Sequence, residues 1–512
     1  MTEVLGENWQ QEYIVWDMCC GVGNLEVKHS NPRNIYMSTL DAPDIDVMRA
    51  TKTCVAAEKF QYDYLNDDIT DDGKIDYSIT NKVPESLQKA IKSGKKILVL
   101  INPPYGETGS GIGKGDTNKK ELGQTQVNLL MRKKQMGFAS KEMFVQFLAR
   151  IMQELPKATI AMFSTLKYVN APNFEDFRKH WDGDYLGGFV VHSKAFDGLN
   201  GDFPIGFLVW QTSYNDGHLS QISEITVDVL NKKAQPIGEK RYFNLPTTQY
   251  LNSWIKKSKT NDEIALPLSN AVKVSNNPRI KKSSDNSLGY LYASNNDLQH
   301  AGQETLIASS IYTGGNGGGV YVIEENLLQT AIVFSVRLLV KHTWINHNDQ
   351  FLQSTNELAD EFKNDCLVWM LFHSKNLTAS ANDLEWNDKK WSIVNHFIPF
   401  TEEEVGAPDR FESNFMVEHM KGKEFSSEAR AVLEEGKKLW QSYFAHTDER
   451  SVRDEYKLNR PDVGWYQIRN ALKKRNDSGD FPKVSFVDFE NVYKKLSEKL
   501  EPQVYELGFL KK

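Results

Sequence analysis

Asn102, Pro103, Pro104 and Tyr105 follow directly on the apolar run "KKILVLI" at 95–101. Such a quartet suits a planar exocyclic amine. The lone pair of an amine on a purine ring is delocalised, so the group is a poor nucleophile until something pyramidalises it. Two acceptors aimed at its two N–H bonds, the side-chain carbonyl of Asn102 and the backbone carbonyl of Pro103, favour that change. The prolines fix φ and so pre-aim the acceptors, while the Tyr105 ring offers a face on which a base can stack. No strong base is needed first. Holding the amine in line with a sulfonium methyl group does most of the work.

A second cluster precedes it. "VWDMCCGVGNLE" at 15–26 reads as a strand, a glycine turn and the start of a helix. Gly21 and Gly23 allow a tight turn and close approach of a ligand, and a helix N-terminus there would face an anion. The spacing is not GxGxxG, because Glu26 stands where a third glycine would be. Further on, "NIYMSTLD" ends in Asp41, placed to accept from ribose hydroxyls at the end of a second strand. Asp44 and Asp46 compete for that role, and Asp44 suits a helix cap better. "FQYDYLNDD" then places Asp63 at the end of a third strand, able to accept from an adenine amino group, with Tyr64 against the ring. Each of these residues sits where a strand is expected to end, the side on which open α/β sheets bind ligands.

The elements that must position them alternate. "YIVWD", "NIYMSTLD", "KKILVLI", "ATIAMFS", "GGFVVHS" and "IGFLVWQT" are strand-like between 13 and 210, separated by helical patterns, which predicts a doubly wound, largely parallel α/β sheet. The clearest helix is predicted over 141–155, where Met143, Phe144, Phe147, Leu148, Ile151, Met152 and Leu155 form one stripe before Pro156. From about 216 the pattern becomes alternating strands such as "EITVDVL", with a glycine-rich loop at 312–321. After 345 come Trp-rich segments and amphipathic helices. Three regions are therefore expected: 1–215, a mixed α+β region at 216–345, and a helical C-terminal region at 346–512.

Composition sets limits. The 512 residues carry 61 basic and 68 acidic side chains, net −7, so no global basic footprint marks a nucleic-acid binder. Local basic stretches lie at 114–134, 255–282 and 456–475. In the last, Trp465, Ile468 and Leu472 are expected inside and Arg469, Lys473, Lys474 and Arg475 outside. Cys19, Cys20, Cys54 and Cys366 make neither a disulfide framework nor a CxxC pair, and no histidine spacing suggests a metal, so none is expected. No signal peptide or spanning segment is legible, which predicts a cytoplasmic protein. "GSGIGKGD" at 109–116 lacks P-loop spacing, and no nuclease cluster is present.

Together these residues resemble the S-adenosylmethionine-dependent, adenine-N6-specific DNA methyltransferases. "DMCCGVGNLE" looks like their motif I, Asp41 like their ribose-binding acid, "DYL" at 63–65 like motif III and "NPPY" like catalytic motif IV, and the resemblance covers about residues 13–212. It implies a Rossmann-like doubly wound methyltransferase domain, with S-adenosyl-L-methionine held by Asp17, Gly21, Gly23, Asp41, Asp63 and Tyr64. Asn102 to Tyr105 would be catalytic, and Phe196 or Phe203 would line the pocket of a flipped-out adenine. The motif order is similar to the family's gamma arrangement, with target recognition C-terminal. Double-stranded DNA is the implied partner, with phosphate contacts expected at Lys114, Lys133, Lys134, Arg279, Lys281 and Lys282. Only 16 residues precede Asp17, where such enzymes carry a helical element that contacts the cofactor, so a partner chain could supply it, alongside a separate restriction nuclease. The alternatives are an RNA-adenine or protein-glutamine methyltransferase, or an inactive DNA-binding remnant.

Overall fold

A computed structural model describes residues 1–107, 123–196, 198–212, 222–277, 282–313, 318–446, 450–478 and 484–512. They form two compact units, Met1–Leu245 with Thr343–Asn348, and Pro246–His342 with Asp349–Lys512.

The first unit is built on a nine-stranded sheet. Its strands are β1 (Ile14–Asp17), β2 (Ile35–Thr39), β3 (Glu58–Gln61), β4 (Ile97–Ile101), β5 (Thr159–Thr165), β6 (Gly183–His192), β7 (Pro204–Thr212), β8 (Glu224–Leu230) and β9 (Pro236–Phe243). Their spatial order is β3-β2-β1-β4-β5-β7-β6-β8-β9. The five strands from β3 to β5 run parallel, and β7 inserts antiparallel between β5 and β6. The chain runs outward from β1 to β3 and then returns to β1's other side for β4. The connection changes direction at the β1/β4 boundary, the crevice where doubly wound sheets bind ligands.

Both faces of this sheet are covered, which is why β4 is apolar and buried at every position. On one face lie α1 (Thr2–Leu5), α2 (Trp9–Glu12) and α3 (Ala42–Ala50), whose Trp9, Ile45 and Met48 pack on Val15, Met37, Leu98 and Leu100. On the other lie α4 (Glu85–Lys92), α5 (Gln126–Lys133) and α6 (Met143–Glu154), packed against Trp16, Val99, Ile101 and Ile160. Helix α6 follows its predicted stripe, with Phe144, Phe147, Leu148 and Ile151 buried.

Arg150 on α6 pins the turn after β3. Its guanidinium donates to the carbonyls of Tyr64 and Asp67 (2.9 Å to Asp67) and to the Tyr62 hydroxyl at 2.6 Å, and pairs with Glu154 at 3.0 Å. Both charged side chains are 1% exposed. Glu154 in turn accepts from the Tyr77 hydroxyl at 2.5 Å.

The expected boundary at 215 falls inside this unit. "EITVDVL" is a strand with Ile225, Val227 and Val229 buried, as its alternation predicts, but β8 pairs with β6 and extends the first sheet. Alternation reports that one face is buried without saying against which sheet.

The expected regions 216–345 and 346–512 do not divide from one another either. The second unit combines a four-stranded sheet, in the order β14-β12-β13-β15, with small two-stranded sheets and long helices. β10 is Thr260–Ile264, β11 Lys282–Ser284, β12 Gly289–Ala293, β13 Thr305–Ala308, β14 Gly319–Val322 and β15 Asn376–Leu377. The helices Leu327–Leu339, Asp360–Phe372, Ser427–Ala445 and Val487–Glu506 share one core with residues of β12 and β13. Helix Trp465–Ser478 buries Trp465, Ile468 and Leu472 as expected, but Arg475, expected on its exposed face, is 1% exposed.

Removing one partner of the Arg150–Glu154 pair leaves a bare buried charge. Arg150→Leu should lower the unfolding free energy by about 3–5 kcal/mol, and Arg150→Leu/Glu154→Leu by clearly less than the two single losses combined. Urea unfolding of the four species checks this, and additive losses would refute a shared network.

Candidate active site

The register of the parallel strands brings the sequence motifs to one edge. Trp16 pairs with Val99, Asp17 with Met37, and Thr39 with Gln61. The chain segments bearing Asp17, Asp41, Asp63 and Asn102 therefore all leave their strands on the C-terminal side, with β1 and β4 as immediate neighbours at the switch point.

After β1 the glycine turn forms, but not as expected. Gly21 (φ +50°) and Gly23 (φ +80°) both take left-handed conformations, and residues 21–28 are a run of turns, so no helix follows. The two glycines do different things. A Cβ on Gly23 would stand 2.5 Å from Met37 Cε and 3.0 Å from Thr53 Cγ2, whereas one on Gly21 would meet nothing within 4 Å. Gly23 thus lets the turn sink onto β2 and α3, and Gly21 leaves room above it. With no helix here, anion binding by a helix N-terminus drops out of the site.

Asp17 is 1% exposed and its Oδ1 accepts from the Cys19 N–H at 2.9 Å. Glu26, 0% exposed, faces it. Neither Glu26 oxygen has a hydrogen bond of ordinary geometry, yet the two carboxyl groups lie close enough to feel each other's charge. Burial raises the pKa of both, and the neighbouring Glu26 raises Asp17 further. A cation placed between them would relieve both effects. Glu26 was read from the sequence only as a missing glycine. The signal available was an acid in an otherwise apolar turn, nine residues after Asp17.

Asp44, expected as the helix cap, is not at the N-cap position, because the helix begins at Ala42 and Asp44 lies inside its first turn. Asp41 occupies the N-cap position of α3 with an exposed carboxylate that makes no capping bond, and Asp44 accepts from the Thr39 hydroxyl at 2.8 Å. Asp41 is thus the free acid at the end of β2. Asp63 is engaged by its own turn, accepting from the Leu65 N–H at 3.1 Å and from Asn66 Nδ2 at 2.8 Å. Tyr64 is a correction. Expected against a cofactor ring, it is 2% exposed, stacked on Phe147 with centroids 5.4 Å apart, and covered by the Arg150 guanidinium at 4.3 Å. It lies in the turn after β3, which Arg150 holds against α6, so its ring enters the core that α6 covers.

Asn102 is exposed, Pro103 buried and Tyr105 half-buried. The Tyr105 hydroxyl donates to Asn102 Oδ1 at 2.9 Å, so the acceptor that the sequence reading expects at an amine already holds a donor. Burial and then the nearby Cys19 thiol push the Tyr105 hydroxyl pKa up, which places the quartet against the glycine turn. Behind it, Gly106 O accepts from the Met143 N–H at 3.0 Å and so ties the segment to the start of α6.

Ile101 pairs with Met162, so Asn102 follows on beside Phe163 of β5. Phe163 is half-buried and meets Phe196 edge-on at 5.4 Å and Phe207 at 4.7 Å. An aromatic wall thus adjoins Asn102, and Phe163 is the member that sequence reasoning missed. Its position as the alternate residue of "ATIAMFS", at the strand's C-terminal end, was the signal. Phe203 lies instead by His347, with ring centroids 6.5 Å apart.

The residues expected at phosphates are not gathered at the quartet. Lys134 lies beside the C-terminal part of α6. Lys134 bonds Gln153 at 3.0 Å, ten residues and about 15 Å along the helix from the Met143 that touches Gly106. Lys133 reaches the Asp71 carbonyl at 3.5 Å. Lys114, Arg279 and Lys281 lie outside the described residues. Lys282 is exposed on β11 and ion-paired with Asp262. Among the described residues no cluster of His, Cys, Asp and Glu could hold a metal ion, and no helix is long and apolar enough to cross a membrane.

No protein-family model matches the chain, and no curated protein matches it. Three solved structures are similar to parts of it. A DrdV–DNA complex is 13% identical with a TM-score of 0.33, covering 57% of this chain and 33% of its own. LlaBIII, an ATP-dependent type ISP restriction-modification enzyme bound to DNA, is 8% identical with a TM-score of 0.33, over 58% of this chain and 23% of its own. The M protein of the type I restriction enzyme EcoKI is 11% identical with a TM-score of 0.26, over 43% of this chain and 44% of its own. The chain therefore spans a third or less of the first two.

The acid pair gives a test of its own. Glu26 has a folded-state pKa above its ordinary 4.5, so the native state binds more protons than the unfolded one as pH rises from 4.5 through the raised value, and stability falls over that window. Glu26→Gln removes this loss. Urea midpoints of variant and wild type should diverge in the variant's favour as pH rises above 4.5. Parallel pH curves would show that burial does not hold the Glu26 carboxyl above its ordinary range.

Proposed function

We propose that the chain is a DNA methyltransferase that places a methyl group on N6 of a flipped-out adenine in double-stranded DNA, using S-adenosyl-L-methionine. The observation that carries this reading is Asn102-Pro-Pro-Tyr105 leaving β4 beside the acid-backed glycine turn that leaves β1.

The residues present fit the cofactor. Asp17 with Glu26 is a buried carboxyl pair whose ionisation a cation would favour, Gly21 leaves open space over the turn, and Asp41 offers a free carboxylate at the end of β2. Asp17 and Glu26 would favour the ammonium end and Asp41 the ribose hydroxyls. When bound, the cofactor supplies an electrophilic methyl group on sulfur. This chain's own contribution is to hold the amine. Asn102 Oδ1 and the Pro103 carbonyl accept from its two N–H bonds, Tyr105 stacks on the ring, and Phe163 and Phe196 exclude water from the side next to β5.

For Asn102 to accept from an amine, the Tyr105 hydroxyl must first leave it. That contact is a resting arrangement in which the motif satisfies itself. Breaking one such hydrogen bond costs about 0.5–1.5 kcal/mol.

Purified chain incubated with tritiated cofactor and, in parallel, unmethylated genomic DNA, bulk RNA and protein extract decides the substrate. Label is expected in DNA as N6-methyladenine, and Asn102→Ala should lower the rate by about a hundredfold or more. Label entering RNA or protein instead would overturn the DNA reading. With an active chain in hand, Tyr105→Phe keeps the stacking face and frees Asn102. Its KM for DNA should fall about two- to tenfold with kcat little changed. A raised KM would mean that the hydroxyl binds substrate.

A further inference from the structure

The second unit carries a groove that none of the motifs accounts for. Two adjoining hollows, of 340 Å³ and 220 Å³, share Lys257, Gly319 and Val320 and so run together across β12 and β14. Lys257 belongs to both, and Lys282 lines the larger. Neither lining contains a carboxylate, in a chain where acids outnumber bases.

Three details make this groove a site for an anion rather than a surface dip. Lys257 is exposed and has no ion pair among the described residues, while Lys282 holds only Asp262, with both partners well exposed, a contact that a phosphate can displace. At Gly319, which lines both hollows, a Cβ would collide with the Leu291 carbonyl and the Tyr290 ring, so β14 lies close against β12 and its backbone, with no side chain at this position, forms part of the lining. Beneath the smaller hollow lies Arg337, 0% exposed. It donates to Thr305 Oγ1 (2.7 Å), Asn252 Oδ1 (3.1 Å), Asn295 O (2.7 Å) and Ser294 O (2.7 Å), all neutral acceptors, and three of those residues line the hollow. Asp297 and Glu304 stand close enough to favour its charge, yet burial outweighs them and holds its pKa down to about 10. A third cation thus sits under the groove without a carboxylate in contact.

We propose that this groove seats the sugar-phosphate backbone of double-stranded DNA, with Lys257 and Lys282 on its phosphates and the glycine-floored strand β14 beneath it. The choice of DNA rests on the methyltransferase reading. The elongated, acid-free lining fits a chain of phosphates better than a single one.

Phosphate contacts are sequence-independent, so the unknown recognition site does not prevent the test. Fluorescence anisotropy of a labelled random-sequence duplex, titrated with the full chain over a range of salt, gives the slope of log K against log salt. Lys257→Gln and Lys282→Gln should each make that slope shallower by about one, and the double variant by about two, with cofactor binding unchanged. Lys421→Gln, an exposed lysine elsewhere in the unit, should leave it unaltered. If the wild type binds and methylates DNA but the double variant keeps the full slope, the groove assignment falls and the methyltransferase reading stands. If the wild type binds no duplex, both fall. Displacement of the duplex by ATP, as effective as unlabelled duplex at equal phosphate, would assign the groove to free nucleotides and overturn the DNA assignment.

Discussion

Parallel pairing of β1 with β2 on one side and β4 on the other is the constraint on which the rest of the first unit depends. Parallel strands share a direction, so whatever follows each of them emerges on one edge, and the order β3-β2-β1-β4-β5 opens a crevice where the connections part. The glycine turn and Asn102-Pro-Pro-Tyr are separated by about eighty residues of sequence and by one hydrogen-bonded ladder in space. Shifting β4 by one residue would turn Asn102 away from the face it shares with Phe163 and send Leu98 and Leu100 to the wrong core.

Buried charge does the finer positioning. Arg150 reaches across from α6 to hold two carbonyls of the turn after β3, which fixes where Asp63 and Tyr64 can be. In the second unit Arg337 holds the carbonyls of Ser294 and Asn295 in the same manner. Desolvating a guanidinium is costly, and these two recover that cost through several hydrogen bonds each, which makes the loops they hold rigid. The Asp17–Glu26 pair is the opposite case, two carboxyl groups buried together whose charged forms burial disfavours.

Much of the framework was legible. The apolar runs at 14–17, 35–39, 97–101 and 159–165 are strands, the stripe over 141–155 is a helix, and "EITVDVL" alternates as a half-buried strand should. Less of the site was. Lys134 follows Asn102-Pro-Pro-Tyr in sequence but lies by Gln153 near the C-terminal end of α6, because α5 and α6 carry the chain back down the sheet before β5 begins. Asp63 is the right residue type at the right place, but its own turn satisfies its carboxylate first.

The sequence by itself determined the order of strand, turn and acid, the place of Asn102-Pro-Pro-Tyr at the end of a buried strand and the period of each buried face, because these are set by residues within a few positions of one another. The tertiary structure alone decided that Tyr64 belongs to the core, that Glu26 confronts Asp17, that Phe163 adjoins Asn102 and that the first sheet continues to Phe243. Each of those outcomes depends on which distant segment covers a side chain. Arg150 lies 86 residues from the carbonyl of Tyr64 that it binds, and no local pattern encodes a partner at that range.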